Sequence, residues 1–106
     1  MKLIELLSAA ALEPGECRVV EPDGLELALC NVGGQYYCVQ NECPHSYGPL
    51  GDGTLEGSTL TCPIHAWEFN VVTGESIDGW GINLATFPCR VVDGTVYIEL
   101  PDSDPA

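Results

Sequence analysis

The chain has 106 residues, of which 45% are hydrophobic and 18% charged, enough for one domain (1–106) with a modest core and too few for two. Its formal net charge is −13, because the 16 acidic residues are balanced only by Lys2, Arg18 and Arg90. Such a surface repels nucleic acid and anionic membranes, and no segment approaches the roughly 20 apolar residues that span a membrane.

Short apolar and β-branched runs separated by Gly and Pro predict an all-β fold. The first twelve residues also resemble a signal peptide, but Glu5 interrupts their apolar run and favours a strand followed by a turn. Gly33-Gly34 and Asp93-Gly94 predict tight hairpins, and the polar tail 101–106 is predicted to be disordered. In chain order, the strands are expected over 3–7, 17–21, 25–32, 35–40, 58–61, 67–72, 84–92 and 95–100.

Two short pairs of metal-binding residues stand out, Cys43-Pro44-His45 and Cys62-Pro63-Ile64-His65. The Pro after each Cys fixes φ and favours a loop over a helix or a central strand. Zinc modules usually pair Cys with Cys and His with His, whereas each pair here combines one thiolate with one imidazole. This mixture suits a two-iron cluster in which two Cys bind one iron and two His bind the other.

At these residues the chain resembles the Rieske family, whose pattern is C-x-H followed, after about fifteen to seventeen residues, by C-x-x-H. The resemblance extends to 48–50, 67–70 and 73–74, and it is strongest to the small ferredoxins that serve bacterial ring-hydroxylating oxygenases. It covers roughly residues 3–100.

The resemblance implies a Rieske-type fold of antiparallel sheets. A small cluster-binding subdomain, at about 41–80, would sit on a basal barrel or sandwich made by 1–40 and 81–100. It also implies one [2Fe–2S] cluster, with electrons entering and leaving at the exposed imidazoles. The implied ligands are Cys43, His45, Cys62 and His65.

The same comparison predicts a low reduction potential. High-potential relatives carry a disulfide between the two loops, but the matching positions here are Gly48 and Ile64. Those relatives also present Ser and Tyr hydroxyls to the cluster, where this chain has Trp67 and Phe69. Fewer hydrogen-bond donors stabilise the added electron less, so a potential of roughly −150 mV is expected.

Several residues near the predicted site keep two interpretations. Ser46 and Tyr47 either supply a hydroxyl to the cluster or only shape their loop. Trp67 and Trp80 either pack beside the cluster or belong to the ordinary core. The segment 78–82 lacks the Pro that many relatives use to cover the cluster.

Four cysteines remain outside the ligand set, and each lies in a core-like stretch: Cys17, Cys30, Cys38 and Cys89. We interpret each as a small buried hydrophobe, and the alternative is a bridge or a redox role. Unbridged cysteines are typical of a reducing compartment. We therefore predict a cytoplasmic protein.

The predicted cluster uses both histidines of the chain, so a non-haem iron oxygenase centre and a Ser–His–Asp triad are excluded. No G-x-G-x-x-G or Walker motif is present to bind nicotinamide or flavin. We predict a one-electron carrier, not catalytic alone, between an NAD(P)H-dependent flavin reductase and a terminal oxygenase. The alternatives are a fixed small subunit resembling that of NAD(P)H nitrite reductase, or a structural zinc module.

Overall fold

The computed structural model describes residues 2–43, 48–64, 67–77 and 83–100. Within these ranges the chain forms short strands and 3-10 turns, without an α-helix, and no helix there is long and apolar enough to cross a membrane. The 3-10 turns are Ala9–Ala11, Pro22–Gly24 and Leu50–Asp52. The strands are β1 (Lys2–Ser8), β2 (Cys17–Val20), β3 (Leu27–Val32), β4 (Gln35–Gln40), β5 (Thr54–Glu56), β6 (Thr59–Thr61), β7 (Glu68–Asn70), β8 (Thr86–Phe87), β9 (Cys89–Val92) and β10 (Thr95–Leu100).

The strands form three antiparallel sheets, which confirms the all-β prediction. The terminal sheet has the order β1-β10-β9, the central sheet β2-β3-β4-β8, and the small sheet β5-β6-β7. The two predicted hairpins are present, with positive φ at Gly33, Gly34, Asp93 and Gly94. Such φ values are what two-residue turns between twisted strands require.

The central sheet is covered on both faces. Ala28 and Cys30 of β3 pack into a first core cluster with the segment between β4 and β8, whereas Leu27 and Leu29 pack into a second cluster with the terminal sheet. Successive side chains of a strand point to opposite faces, so a strand buried on both sides is apolar at every position. This explains why the first four residues of β3, Leu27 to Cys30, are all apolar.

Both ends of the described chain meet in the terminal sheet. Lys2 of β1 is the cross-strand partner of Leu100 of β10, and the register shifts once, between Glu5 and Leu7. The first residues of the chain thus form a strand of the domain followed by a 3-10 turn, as the sequence predicts.

The structure differs from the predicted strands at three main places. The sequence predicts no strand between residues 40 and 58, but Thr54–Glu56 forms β5 and pairs with β6. The strand predicted over 84–92 divides at Pro88 into β8, which pairs with β4, and β9, which pairs with β10. Because Pro has no N–H to donate, it suits the point where a chain leaves one sheet for another. The strand predicted over 67–72 is limited to Glu68–Asn70.

The metal-ligand segment lies between two neighbouring strands of the central sheet. Its ends are joined by hydrogen bonds, from the Gln40 N–H to the Ala85 carbonyl oxygen at 2.9 Å and from the Ala85 N–H to Oε1 of Gln40 at 2.7 Å. The segment thus leaves and re-enters the central sheet at one place. The subdomain limits given above remain a prediction, and the tail 101–106 lies outside the described residues.

Buried thiols make stability depend on alkaline pH. Burial is the main cause that raises the pKa of Cys30 above its usual value of 9.0. Above pH 9 the unfolded chain releases this proton while the folded chain keeps it, so stability falls as pH rises. We expect Cys30→Ala to reduce this loss by about 1.4 kcal/mol per pH unit above 9.

The measurement is anaerobic urea unfolding at pH 8 and pH 10.5. Val39→Ala is the matched control, since it truncates a neighbouring buried residue that does not titrate. An equal alkaline loss in the wild type and in Cys30→Ala would contradict the assignment.

Candidate metal centre

Each Cys of the two predicted pairs closes its own loop with the same backbone hydrogen bond. The Cys43 N–H donates to the carbonyl oxygen of Gly48 at 3.0 Å, and the Cys62 N–H donates to that of Trp67 at 2.8 Å. In both loops the bond joins residue i to residue i+5. The two thiols therefore start two similarly closed loops, and His45 and His65 follow within those loops.

The two thiols meet inside one core. Cys43 and Cys62 are 0% and 1% exposed, and both belong to the first core cluster with Leu50, Leu60 and Phe69. No disulfide joins any of the six cysteines. Two unbridged thiols held in one apolar environment suit soft metal ligation.

Asn41 anchors the first loop at its base. Its side-chain Oδ1 accepts a bond from the Gly51 N–H at 2.8 Å, and its carbonyl oxygen accepts one from Leu50 at 2.7 Å. Its Nδ2 donates to Glu26 Oε1 at 3.2 Å. A residue that is only 4% exposed thus fixes the start and the end of the loop together.

The far side of this loop is also fastened to the central sheet. The Cys17 Sγ lies 3.5 Å from the carbonyl oxygens of both Gly51 and Gly53. Burial, followed by the charges of Asp52 and Glu16, raises the pKa of the Cys17 thiol, which keeps it a hydrogen-bond donor. Cys17 therefore has a structural role beside the first loop.

Gly48 is the point where the two loops touch. A methyl group on its Cα would overlap Cγ1 of Ile64, and it would lie 3.4 Å from the Ile64 Cβ and 3.3 Å from Cys62 Sγ. Disulfides span a Cβ–Cβ separation of about 3.5–4.5 Å. Gly48 and Ile64 are the positions that match the disulfide of the high-potential relatives. The structure brings them together, and here the glycine packs under the aliphatic side chain.

Aromatic side chains border the second loop. Phe69 is fully buried, and its ring centroid lies 6.4 Å from that of the half-buried Trp67. Trp67 packs against the first core cluster, the cluster that contains both ligand thiols. Trp67 can therefore belong to the core and also lie beside the metal centre, because the ligand thiols are part of that core cluster.

Part of the predicted site cannot be placed. His45, Ser46 and Tyr47 lie outside the described residues, as do His65 and Trp80. The structure brings Cys43 and Cys62 together, and the ligand role of the two histidines stays a prediction.

The donors that are described fit an iron–sulfur group. Their thiols are buried, unbridged and carried on loops whose backbone is fixed at both ends, with space for only a glycine between the loops. These features define a small all-β protein built to hold a thiolate-bound metal centre.

Comparison with known proteins agrees with this description. The family model of the Rieske [2Fe-2S] domain matches residues 2–88. The ferredoxin component of the naphthalene 1,2-dioxygenase system of Pseudomonas putida is 34% identical over 101 residues, which cover 94% of this chain and 97% of the relative.

Solved structures give the same picture. The Sphingomonas yanoikuyae B1 ferredoxin superposes with a TM-score of 0.85 and 30% identity, over 94% of this chain and 100% of that one. A chain from the complex of reduced oxygenase and oxidized ferredoxin in carbazole 1,9a-dioxygenase has a TM-score of 0.84 and 34% identity, over 91% of both chains.

The chain belongs to the Rieske [2Fe–2S] family. It carries a Rieske-type cluster and is an electron-transfer component of the ferredoxin type, not an enzyme by itself.

Sequence reasoning missed the residues that hold the loops in place. Asn41 has no role predicted from the sequence, although a polar residue directly after a buried strand is a usual position for a side chain that bonds to the backbone. Gly53 likewise carries no local sequence signal beyond that of a turn. A Cβ there would overlap the carbonyl oxygen of Thr61, so this glycine allows the chain to approach β6.

The contact between the loops predicts a specific mutational pattern. Gly48→Ala should destabilise the holoprotein by about 1–3 kcal/mol, because the added methyl group collides with Ile64. Ile64→Ala alone should cost less than about 0.5 kcal/mol, since Ile64 is 54% exposed. The double variant should recover most of the loss, because the overlapping Cγ1 is gone.

Urea-induced loss of the visible cluster spectrum measures the effect in all variants. Val72→Ala, a truncation of another exposed aliphatic side chain, combined with Gly48→Ala serves as the matched control and should give no recovery. Equal destabilisation by Gly48→Ala in the presence and absence of the Ile64 side chain would show that the two do not clash.

Proposed function

We propose that this protein carries single electrons from an NAD(P)H-dependent flavin reductase to the terminal oxygenase of an aromatic-ring-hydroxylating system. The observation that carries the proposal is the 34% identity, over nearly the full length of both chains, to the ferredoxin component of a dioxygenase system. The pair of closed Cys loops over one core supports it, because a carrier needs its redox group near the surface and its ligands rigid.

The proposed ligands are Cys43 and Cys62 on one iron and His45 and His65 on the other. A cluster with this ligand set supplies one reversible electron at about −150 to +300 mV, against about −400 mV for all-Cys plant-type ferredoxins. The chain's own contribution is to bury both thiolates and to exclude water from them with Leu50, Leu60 and Phe69. Phe69 offers no hydroxyl, so the low end of this potential range remains our prediction.

The surface around the loops suits transient docking to a basic partner. The exposed carboxylates between β4 and β8 include Glu42, Asp52, Glu56 and Glu75. The sequence has no Lys or Arg between Arg18 and Arg90. The exposed Ile64 provides an apolar contact within this acidic surface. An apolar centre with a charged rim is the usual composition of a protein interface, and complementary charge mainly speeds association.

We place the protein in the cytoplasm. Its six cysteines carry no disulfide, and such free thiols are typical of a reducing compartment.

The ligand proposal and the carrier proposal are tested together. The anaerobic holoprotein should contain two irons and two sulfides per chain and give a Rieske-type electron paramagnetic resonance signal on reduction, at about −150 mV. Cys43→Ser and Cys62→Ser should each abolish the cluster, while Cys17→Ser, which changes a thiol outside the ligand set, should keep it. A Cys43→Ser variant with a full cluster would disprove the ligand assignment.

Turnover with a naphthalene 1,2-dioxygenase reductase and oxygenase as probe partners tests the carrier role. The wild type should support substrate hydroxylation, and the apoprotein should not. If the reductase reduces the protein but the reduced protein does not pass electrons to the oxygenase, the proposed carrier role is wrong.

The acidic surface predicts a salt-dependent rate. Glu42→Gln should slow reduction by the reductase by about two- to fivefold at low ionic strength. The difference from the wild type should vanish near 1 M salt, where the Debye length is about 3 Å. Asp93→Asn is the matched control, because it also removes one negative charge. Asp93 lies in the turn between β9 and β10, and strands β8 and β9 separate this turn from the ligand loops. Stopped-flow reduction over a salt series measures both variants, and equal effects would mean that only net charge matters.

A further inference from the structure

Two thiols that the metal centre does not use lie together between the central and terminal sheets. Cys38 belongs to the second core cluster, and the half-buried Cys89 packs against that cluster. Cys38 is the cross-strand partner of Phe87, so Cys89 follows two residues after a residue directly opposite Cys38. Pro88 turns the chain at this point, and Cys89 opens the strand that pairs with β10.

The two thiols lie in the same core region, on strands that face one cleft. A hydrogen bond with the Cys89 side chain is the first cause that raises the pKa of the Cys38 thiol, followed by burial and by charge at Cys89. The Cys89 Sγ also lies 3.8 Å from the Phe87 carbonyl oxygen. The pair thus includes a buried sulfur and a partly accessible one.

The pair is open to small molecules. Both cysteines line a surface cleft of about 550 Å³ between β4 and β9. Among the described residues, none of those that line this cleft is acidic, and Arg90 lies at the cleft beside Cys89, where it forms an ion pair with Glu99 at 3.2 Å. An anionic reagent can therefore approach Cys89 here with less repulsion than elsewhere on the surface.

We propose that Cys38 and Cys89 form a reversible disulfide when the protein meets a low-molecular-weight disulfide such as oxidised glutathione. The Cys89 thiolate attacks one sulfur of the reagent, forms a mixed disulfide and releases one glutathione thiol, which takes up the proton. The Cys38 sulfur then displaces the second glutathione from Cys89, and its proton passes to that leaving thiol. Two protein thiols are oxidised to one disulfide, and one reagent disulfide is reduced to two thiols.

The order of these steps follows from access. Cys89 is reached first, because Cys38 is only 1% exposed. Once Cys89 carries glutathione, Cys38 is the neighbouring thiol of the same core region and can attack the mixed disulfide. The bridge would close a chain loop that contains both ligand cysteines and would tie the central sheet to the terminal sheet.

Another pair provides an internal comparison. Cys17 and Cys30 are direct cross-strand partners, but Cys17 Sγ is engaged by the carbonyl oxygens of Gly51 and Gly53. Cys30 itself is fully buried. Each pair joins a half-buried thiol to a buried one. Strand register alone would favour Cys17 with Cys30, whereas the cleft that both Cys38 and Cys89 line favours the second pair.

The test treats the anaerobic holoprotein with oxidised glutathione and follows free thiols, intact mass and bridged peptides by mass spectrometry. The wild type should lose two free thiols and yield a Cys38–Cys89 peptide pair, with its visible cluster spectrum unchanged, and dithiothreitol should reverse the change. Cys89→Ser should abolish the bridge, Cys38→Ala should stop the reaction at a mixed disulfide on Cys89, and Cys17→Ser should behave as the wild type.

Three results would overturn the proposal: no loss of thiols, a bridge that includes any other cysteine, or a wild-type reaction that stops at glutathione on Cys89. If Cys38→Ala does not fold, Cys89→Ser alone decides, because that position is partly exposed and its substitution spares the core. Resistance to heat gives an independent readout, since the bridged wild type should lose its cluster at a higher temperature than the reduced form.

Discussion

The requirement that two distant cysteines share one buried space governs this structure. Cys43 and Cys62 come from separate loops, and each loop is closed by a backbone hydrogen bond from its Cys to the residue five positions later. Neither bond would place a thiol correctly unless both loops rested on a common base. The central sheet provides that base, and its neighbouring strands β4 and β8 hold the ends of the whole segment together.

The two-sided burial of the central sheet follows from the same requirement. One face must support the ligand segment, and the other must attach to the terminal sheet that joins the chain ends. A strand in that position cannot present a polar face to solvent, which is why all but one of the residues of β3 are apolar. Asn31 is its buried polar exception, and its side chain bonds to Leu12 and Gly34 across the ends of neighbouring elements.

Much of this arrangement could be predicted from the sequence, for physical reasons that differ between elements. The ligand pairs were recognisable because metal ligation restricts residue type and spacing, and the hairpins because positive φ favours Gly and Asn or Asp. Strand β5 was missed because Thr54–Glu56 is short and lies among glycines that also mark turns. The division at Pro88 was missed because both halves have strand-like sequences, and only tertiary pairing shows that they belong to different sheets. Asn41 and Gly53 act through contacts with distant backbone, which local patterns do not contain.

The bonds between Gln40 and Ala85 have a consequence for modularity. Residues 41–84 leave and return at two neighbouring backbone positions, so the ligand segment is topologically an insertion in a simple strand pair. A short turn could replace it without rerouting any other strand. Transplanting the segment is harder, because its interior is completed by Ala28, Cys30 and Val39 of the host sheet. An acceptor scaffold would need small side chains at those three positions. Grafting is therefore limited by the sheet surface beneath the insertion and not by the positions where the insertion begins and ends.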